Sequence, residues 1–531
     1  MINNAGHSLY APVLIYGPPG AGKSTLGQAL AQALHIPFTD LDSEIEARSG
    51  LAIPQIFSQQ GEVGFRHLEA QVLETLLDGQ ERVIALGGGA LLDPRLRARA
   101  EAAGIVLCLR APAPVLQARL KSASVTRPLL AGDLSAHLSN LLAERAGHYA
   151  SFPWQLDVGA NSVEEVTWQV QAALGRFYLR GMQKPGFPGC EVRIRSGSLD
   201  ELGQCLSVAG LGGPVLVVSD SNVTPLYAPQ VLANLRSAGY DASLVEIPAG
   251  EKFKTLETIE RLWASSLDAG LDRTSTILAL GGGVVGDLAG FAAASYLRGI
   301  SWVCVPTTLL SMVDASLGGK TGADLPQGKN LIGAFYPPRL VLVDPDTLAT
   351  LPLEELRSGM AEVVKHALIS DPQLFAHCKL GWKVISADWD WLVRRAMAVK
   401  IGIIEADPYE RGLREVLNLG HTLGHAVERA ADYSLRHGEA VAIGILAAAR
   451  LSERLGIAQA DLTSQVEDSL SKLGLPMNIP AHLEDKMLLQ YMGVDKKRAN
   501  GKLRFVLPVR IGKVLHGIEV DEPGMILEEG R

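Results

Sequence analysis

The sequence predicts an α/β protein in two parts: a nucleotide-phosphate-binding domain, then a longer region that begins α/β and ends mainly helical. Three observations carry this. A complete phosphate-binding loop, Gly17-Pro18-Pro19-Gly20-Ala21-Gly22-Lys23-Ser24, directly follows the apolar run Val13-Leu14-Ile15-Tyr16. Strand-like and helix-like apolar patterns alternate on both sides of a break at 174–189 that is rich in Gly, Pro and basic residues. From residue 350 onward the pattern becomes long amphipathic helices.

The first part reads as a strand at 12–16 and a helix at 23–34, with buried strands at 82–86 and 105–109 and helices at 62–78 and 134–148. That alternation implies a parallel sheet covered on both faces over residues 1–173. Residues 174–189 read as a linker. Strands then fit 215–219, 242–247, 275–280 and 302–306, giving an α/β subdomain over 190–349 and a helical one over 350–531. The two Ala-Leu-Gly-Gly-Gly runs, at 85–89 and 279–283, read as two separate strand ends, not a duplication.

Composition narrows the function. The chain has 531 residues, 47% hydrophobic and 20% charged, which is a soluble globular profile with material for more than one core. A net charge of −8 argues against nucleic acid or an anionic membrane as the main partner. The five cysteines (108, 190, 205, 304, 378) form no C-x-x-C pair and suit a reducing cytoplasm. No signal peptide and no membrane-spanning apolar run is read.

In the first part, the loop glycines let backbone N–H groups curl round phosphate oxygens, Lys23 reaches the β- and γ-phosphates, and Ser24 binds Mg2+. Thr39-Asp40-Leu41-Asp42 follows. On an extended segment, Asp40 and Asp42 project to one side: Asp40 holds the Mg2+ shell and Asp42 receives a substrate hydroxyl. A helix N-cap role for Asp42 competes with that. Arg66, the Gly87-Gly88-Gly89 strand end, Arg127 in Arg-Pro-Leu-Leu and Arg145 in Glu-Arg-Ala-Gly-His-Tyr add arginine forks suited to carboxylate and phosphate.

This set resembles shikimate kinase over residues 9–173. The resemblance implies ATP with Mg2+ on Gly20, Gly22, Lys23, Ser24 and Thr25, and shikimate on Asp42, Arg66, Gly88, Gly89 and Arg145. It implies that Asp42 helps accept the hydroxyl proton and that Arg127 closes over the phosphates. Phosphoryl transfer asks mainly for positioning and charge neutralisation.

In the second part, Gly281-Gly282-Gly283-Val-Val-Gly-Asp287 ends a strand and opens a helix, a place for a pyrophosphate in a Rossmann-like arrangement. Asp220 and Asn222 end another strand, and Glu251 and Lys254 lie in a polar loop; each also fits ordinary turn and capping chemistry. The sharper group is Glu362 with His421 and His437. His421 and His425 share a helix face at i, i+4 and His437 follows soon after, an unusual concentration for a chain with 12 histidines. One carboxylate and two imidazoles leave an open position on Zn2+ or Co2+, as a catalytic site requires. Glycine-flanked Lys320 and Lys329-Asn330 suit a phosphate or polyol.

Together with Pro-Thr307-Thr308-Leu-Leu, Ala-Glu-Val-Val-Lys365 and Asn418-Leu-Gly-His-Thr-Leu-Gly-His425, these motifs resemble 3-dehydroquinate synthase over residues 190–515. The resemblance implies NAD+- and metal-dependent ring closure of 3-deoxy-arabino-heptulosonate 7-phosphate. It places Asp220, Asn222, Glu251, Lys254, Gly282, Gly283, Asp287, Thr307, Thr308 and Lys329 on the cofactor. It puts Arg298, Asp314, Lys320, Asn330, Lys400 and Glu410 on the substrate, with Lys365, Arg414, Asn418 and His425 beside the chemistry. A homodimer through this half is also implied.

Rival readings remain open at this point. A metal-dependent alcohol or glycerol dehydrogenase shares the triple glycine and the helical metal domain, but needs no dense cationic lining. A different sugar-phosphate cyclase is closer. The first part also fits a nucleotide-sensing module, against which the intact Lys23, Ser24, Asp40, Asp42 and Arg66 speak.

Overall fold

Strand β1 (Val13–Tyr16) is buried on both faces, and its alternation sorts the first core into two. Val13 and Ile15 pack with Leu26, Leu30 and Val170 on one side of the sheet; Leu14 and Tyr16 pack with Leu41, Ile45 and Phe65 on the other. Strands β2 (Phe38–Asp40), β3 (Val83–Ala85), β4 (Ile105–Arg110) and β5 (Gln155–Asp157) complete a parallel sheet in the order β2-β3-β1-β4-β5. The helix Lys23–Leu34 starts where expected; the helix expected at 62–78 spans Ile53–Leu76, with a bend at Gly61 (φ 70°).

The computed structural model describes residues 7–122, 133–181, 189–432, 434–494, 503–520 and 522–531. The chain divides into two units, Met1–Tyr178 and Leu179–Arg531. The stretch read as a linker at 174–189 is partly ordered structure. It opens with strand β6 (Arg176–Leu179), and only 182–188 fall outside the described residues. Within that strand Arg176 is buried and not solvent-facing: it donates to the Ala11 carbonyl at 2.9 Å and pairs with Glu81 at 3.3 Å, and Phe177 lies in the core.

In the second unit, β7 (Cys190–Ile194), β8 (Val215–Asp220), β9 (Ala242–Ile247), β10 (Thr276–Gly281), β11 (Ser301–Pro306) and β14 (Leu340–Val343) run parallel in the order β7-β14-β11-β10-β8-β9. An antiparallel hairpin of β12 (Lys320–Leu325) and β13 (Gly328–Phe335) stands beside them. The region from 350 is mainly helical as expected, but it also holds an antiparallel hairpin, β15 (Arg504–Arg510) and β16 (Lys513–Glu519). Two long helices, Leu353–Ser370 and His437–Arg454, are buried on nearly every side over most of their length and form its core. Among the described residues no helix is long and apolar enough to cross a membrane.

Candidate active sites

The first site is built at the carboxyl end of β1. Gly22 adopts left-handed backbone (φ 87°) as it caps the helix Lys23–Leu34, a conformation that favours glycine. Lys23 folds back so that Nζ donates to the carbonyls of Gly17 and Pro18 at 3.0 and 3.2 Å. The Ser24 hydroxyl donates to Oδ2 of Asp40 at 2.5 Å. The capping role considered for Asp42 belongs to Asp40, whose Oδ1 accepts from the backbone N–H groups of Asp42 and Ser43 at 3.1 and 3.3 Å. The helix begins at Leu41, two residues earlier than a cap at Asp42 would put it, so Asp42 is left in the first turn and its carboxylate is not the cap.

Asp42 faces the Gly87-Gly88-Gly89 turn, where a Cβ on Gly87 would sit 3.4 Å from its Oδ1 and a Cβ on Gly89 would sit 2.6 Å from Nη2 of Arg66. Arg66 is held by Glu69 at 2.6 Å and by Glu62 at 3.3 Å. Sequence reasoning missed Glu69, which is 2% exposed and has one oxygen without a hydrogen-bond partner among the described residues. Burial pushes its carboxyl pKa up, and the Arg66 guanidinium opposes that. The i, i+3 spacing to Arg66 was the signal available. Arg145 donates to the Gly88 carbonyl at 3.2 Å. Arg127 lies outside the described residues, as do Asp495, Lys496 and Lys497. Thr25 is exposed at the start of the phosphate-loop helix.

The second site lies where the α/β and helical parts of the second unit meet. Two close approaches bring its ligands together. Gly438 lets the helix His437–Arg454 touch the backbone of Ser358, on the helix that carries Glu362. Gly424 lets the helix His421–Ala430 approach Ala440, whose carbonyl a Cβ there would meet at 3.1 Å. As a result Nε2 of His421 and Nε2 of His437 each lie 3.5 Å from Oε1 of Glu362. Glu362 is fully buried, and neither carboxylate oxygen has a hydrogen-bond partner among the described residues. The outer nitrogens are tied: Nδ1 of His421 meets the Leu419 carbonyl at 3.1 Å and Nδ1 of His437 meets Glu428 at 3.2 Å. Outer bonds of this kind fix a metal-binding histidine's tautomer and leave Nε2 for the ion. A buried carboxylate with one oxygen between two imidazoles fits a divalent cation.

Electrostatics agree. Burial works against charge on Glu362, but Lys365 and His421 overcome it and hold its pKa well below the usual range. Burial and Lys365 push His421 down to about 3, so it is neutral and ready to ligate. Glu428, missed by sequence reasoning although it shares a helix with His421, is down to about 2 because its bond to His437 outweighs burial.

Around this core, Lys365 pairs with Glu362, and Lys400 donates to the Asp314 side chain at 2.7 Å. Both Lys320 and Arg414 pair with the same oxygen of Glu410, the second at 3.1 Å. His425 packs edge-on against His421, with ring centres 5.1 Å apart. Asn418 is exposed at the end of the preceding turn. Asn330, expected on substrate, accepts on Oδ1 from Lys254 at 2.6 Å, and Lys254 also pairs with Asp287 at 2.6 Å, which sets it beside the Gly-Gly-Gly turn. Its left-handed backbone (φ 56°) and a bond from its N–H to Asp324 turn it that way. Arg298 is exposed and left-handed (φ 68°), and has no ion pair among the described residues.

Gly282 and Gly283 open the helix Gly283–Ser295 at the end of β10, where a Cβ would meet Thr308 at 3.2 Å and Ala315 at 3.4 Å respectively. Gly283, Gly286, Asp287, Ala315 and Lys320 line a cavity there. Thr307 is buried, and its hydroxyl has no partner among the described residues. Asp220 caps its turn by accepting from the N–H groups of Asn222 and Val223 at 2.8 and 3.1 Å. Glu251 lies 3.6 Å from Lys329.

The comparisons with known proteins bear on both sites. Family models for the N-terminal and C-terminal parts of 3-dehydroquinate synthase match residues 244–358 and 359–498. The 3-dehydroquinate synthase of Nostoc punctiforme is 44% identical over 331 residues, 61% of this chain and 91% of that protein. The chain belongs to the 3-dehydroquinate synthase family. The Geobacter metallireducens enzyme is 49% identical over 329 residues, 60% of this chain and 90% of that one. The family model for shikimate kinase matches residues 19–174, so this family member is a fusion with a kinase in front and has two enzymatic activities. Among solved structures, 2-epi-5-epi-valiolone synthase from Streptomyces hygroscopicus, with NAD+ and Zn2+ bound, is 29% identical, covering 63% of this chain and 94% of that one, with a TM-score of 0.58. A 2-deoxy-scyllo-inosose synthase complexed with carbaglucose-6-phosphate, NAD+ and Co2+ is 26% identical, covering 67% and 99%, with a TM-score of 0.61.

Proposed function

We propose that this shikimate-pathway enzyme phosphorylates shikimate with Mg-ATP in its first unit. In its second unit it converts 3-deoxy-arabino-heptulosonate 7-phosphate to 3-dehydroquinate and phosphate, using NAD+ and Zn2+ or Co2+. The observation that carries the synthase reading is Glu362: a buried carboxylate paired with Lys365 on one oxygen and faced by two imidazole nitrogens on the other, beside Asp314, which pairs with Lys400. A dehydrogenase acting on a neutral polyol has no use for that cationic lining. Identity of 44–49% to dehydroquinate synthases, against 26–29% to the cyclitol-forming cyclases, supports dehydroquinate as product.

In the kinase unit, Lys23 and the loop N–H groups would hold the phosphates, while Ser24 and Asp40 would take Mg2+. Asp42 accepts the proton of the attacking hydroxyl, and Arg66 and Arg145 grip the carboxylate as planar forks. In the synthase unit, Glu362, His421 and His437 would hold the metal, and Asp287, Lys254, Asn330 and the Gly282-Gly283 turn would hold NAD+. When bound, the two supply a polarised hydroxyl of lowered pKa and a hydride acceptor that is regenerated within each turnover. The chain's own residues do the rest. Lys320 and Arg414 exchange Glu410 for an anionic group of the substrate. Lys400 and Asp314 orient its hydroxyls, and His425 handles protons beside the leaving phosphate. A cytoplasmic homodimer through the synthase unit belongs to the same proposal.

The test uses the purified full chain. ADP release from Mg-ATP should depend on shikimate and vanish in Lys23→Ala. Phosphate release from the heptulosonate phosphate should need NAD+ and a divalent metal, and should persist in Lys23→Ala. ADP release indifferent to shikimate would sink the kinase half of the reading. A cyclitol in place of dehydroquinate would sink the synthase half.

A further inference from the structure

Tyr16 ends β1 directly before the phosphate loop, and its side chain is fully buried. Its hydroxyl lies 3.2 Å from the Gly88 carbonyl oxygen and 3.0 Å from Nε2 of His148. The same carbonyl accepts from the Tyr149 hydroxyl at 2.8 Å and from Arg145 at 3.2 Å. The rings of Tyr16, His148, Tyr149 and Phe152 form one cluster, with centres 5.1–5.9 Å apart.

A phenol has one proton to donate. Burial pushes the pKa of Tyr16 up, so it keeps that proton. Two acceptors compete for it. With a bare Nε2, His148 takes the Tyr16 proton, and the Gly88 carbonyl is left to Tyr149 and Arg145. With a protonated Nε2, His148 donates to the Tyr16 oxygen, and the Tyr16 proton turns to Gly88. The Gly88–Gly89 peptide is planar and trans, so pinning its carbonyl inward aims the Gly89 N–H the opposite way. Gly89 is the glycine that packs on the Arg66 guanidinium.

We propose that Tyr16 and His148 are positioning residues for the kinase substrate, which together set the orientation of the Gly88–Gly89 peptide and of Arg145 around the bound carboxylate. This rests on the reading that shikimate binds there. The groups facing His148 are Arg97 and Glu101 from the helix Pro94–Ala103, Arg145 and Tyr149 from its own helix, and Tyr16 from β1. Burial, Arg97 and Arg145 hold its pKa below the ordinary histidine value, and Glu101 pulls the other way. At neutral pH His148 is therefore uncharged; acid returns the Tyr16 proton to Gly88.

The experiment is the pH profile of KM for shikimate, separated from kcat, in the full chain between about pH 5 and 8, the range of a histidine titration. The unaltered chain should show KM falling as pH drops. Tyr16→Phe keeps the ring and removes the donor. Its KM should lie at every pH near the high-pH value of the unaltered chain, about three- to tenfold above that chain's low-pH value, the worth of one neutral hydrogen bond, with kcat within about twofold and the pH response gone. His148→Leu leaves Gly88 as the only acceptor, so KM should stay low and flat with pH. The double variant should match Tyr16→Phe. Unchanged KM and profile in both single variants would overturn the inference, as would parallel loss of kcat, KM and thermal stability. Should Tyr16→Phe fail to fold, His148→Leu decides alone: a flat profile supports the pair and the unaltered profile overturns it. Absence of any shikimate-dependent ADP release from the unaltered chain would overturn the functional reading and this inference with it, whereas turnover with indifferent variants overturns only the inference.

Discussion

Glu428 binds the outer nitrogen of His437 at 3.2 Å and, on its other oxygen, the ammonium of Lys329 at 3.3 Å. One carboxylate thus joins a metal-ligand histidine to a lysine of the β12–β13 hairpin, and Lys329 continues to Glu251 at 3.6 Å. The chain of contacts runs from the metal triad to the loop after β9. Glu428→Ala frees the His437 ring to rotate and removes the counter-charge of Lys329. Metal affinity, read by chelator competition, should fall about 10–100-fold, as for other outer partners of metal-binding histidines. An affinity within twofold of the unaltered chain would show that Glu428 does not set the ring.

Metal binding should expel a proton. Burial opposes charge on His437, but its bonds to Glu362 and Glu428 win and push its pKa up to about 10. The metal-free chain therefore carries a proton there at neutral pH, and a ligating imidazole cannot keep it on Nε2. Binding should release close to one proton per ion between about pH 7 and 9, and the binding constant should rise about tenfold per pH unit up to that pKa. Titration calorimetry in two buffers of different ionisation enthalpy measures the released proton directly. Equal heats in both buffers would count against it.

In the kinase unit, Gly89→Ala tests the packing of Arg66. The added Cβ would meet Nη2 at 2.6 Å and Cζ at 2.8 Å, both at the far end of a flexible side chain. The arginine can swing away, so the fold should survive with Tm within a few degrees, while the guanidinium leaves the place Glu69 holds for it. KM for shikimate should rise about tenfold or more, the loss expected for one charge-assisted contact. A wild-type KM would mean Arg66 does not touch the substrate from this position.

The strand–helix alternation of both α/β regions was legible because fully buried parallel strands read as apolar runs, and β9 and the phosphate-loop helix fall on the expected residues. The candidate metal group of Glu362, His421 and His437 was legible because three of the 12 histidines fall close together in a helical and otherwise apolar stretch. Glu69 and Glu428 were harder to see: Glu69 offers only its i, i+3 spacing to Arg66, and Glu428 takes its role from the histidine that folds onto it. The strand β6 was hidden by its charge, since Arg176 reads as solvent-facing until the Ala11 carbonyl and Glu81 cover it. The separate partners of Lys329 and Asn330 were not legible either: adjacent residues on a hairpin point to opposite faces, so the first reaches Glu428 and the second Lys254.

Gly438→Ala tests whether helix approach assembles the metal site. A Cβ there would overlap the backbone of Ser358, and neither partner is a flexible chain end. The helix His437–Arg454 must shift away from the helix that carries Glu362, which costs about 1–3 kcal/mol of stability by overpacking. The same shift separates Nε2 of His437 from Oε1 of Glu362, now 3.5 Å apart, so metal affinity should fall together with Tm. Added metal should raise the Tm of the unaltered chain and raise that of Gly438→Ala little, because an ion stabilises only what it binds. Kinase turnover reports on the other unit and should not change. A variant that loses Tm but keeps full metal affinity would show that the triad does not depend on this contact.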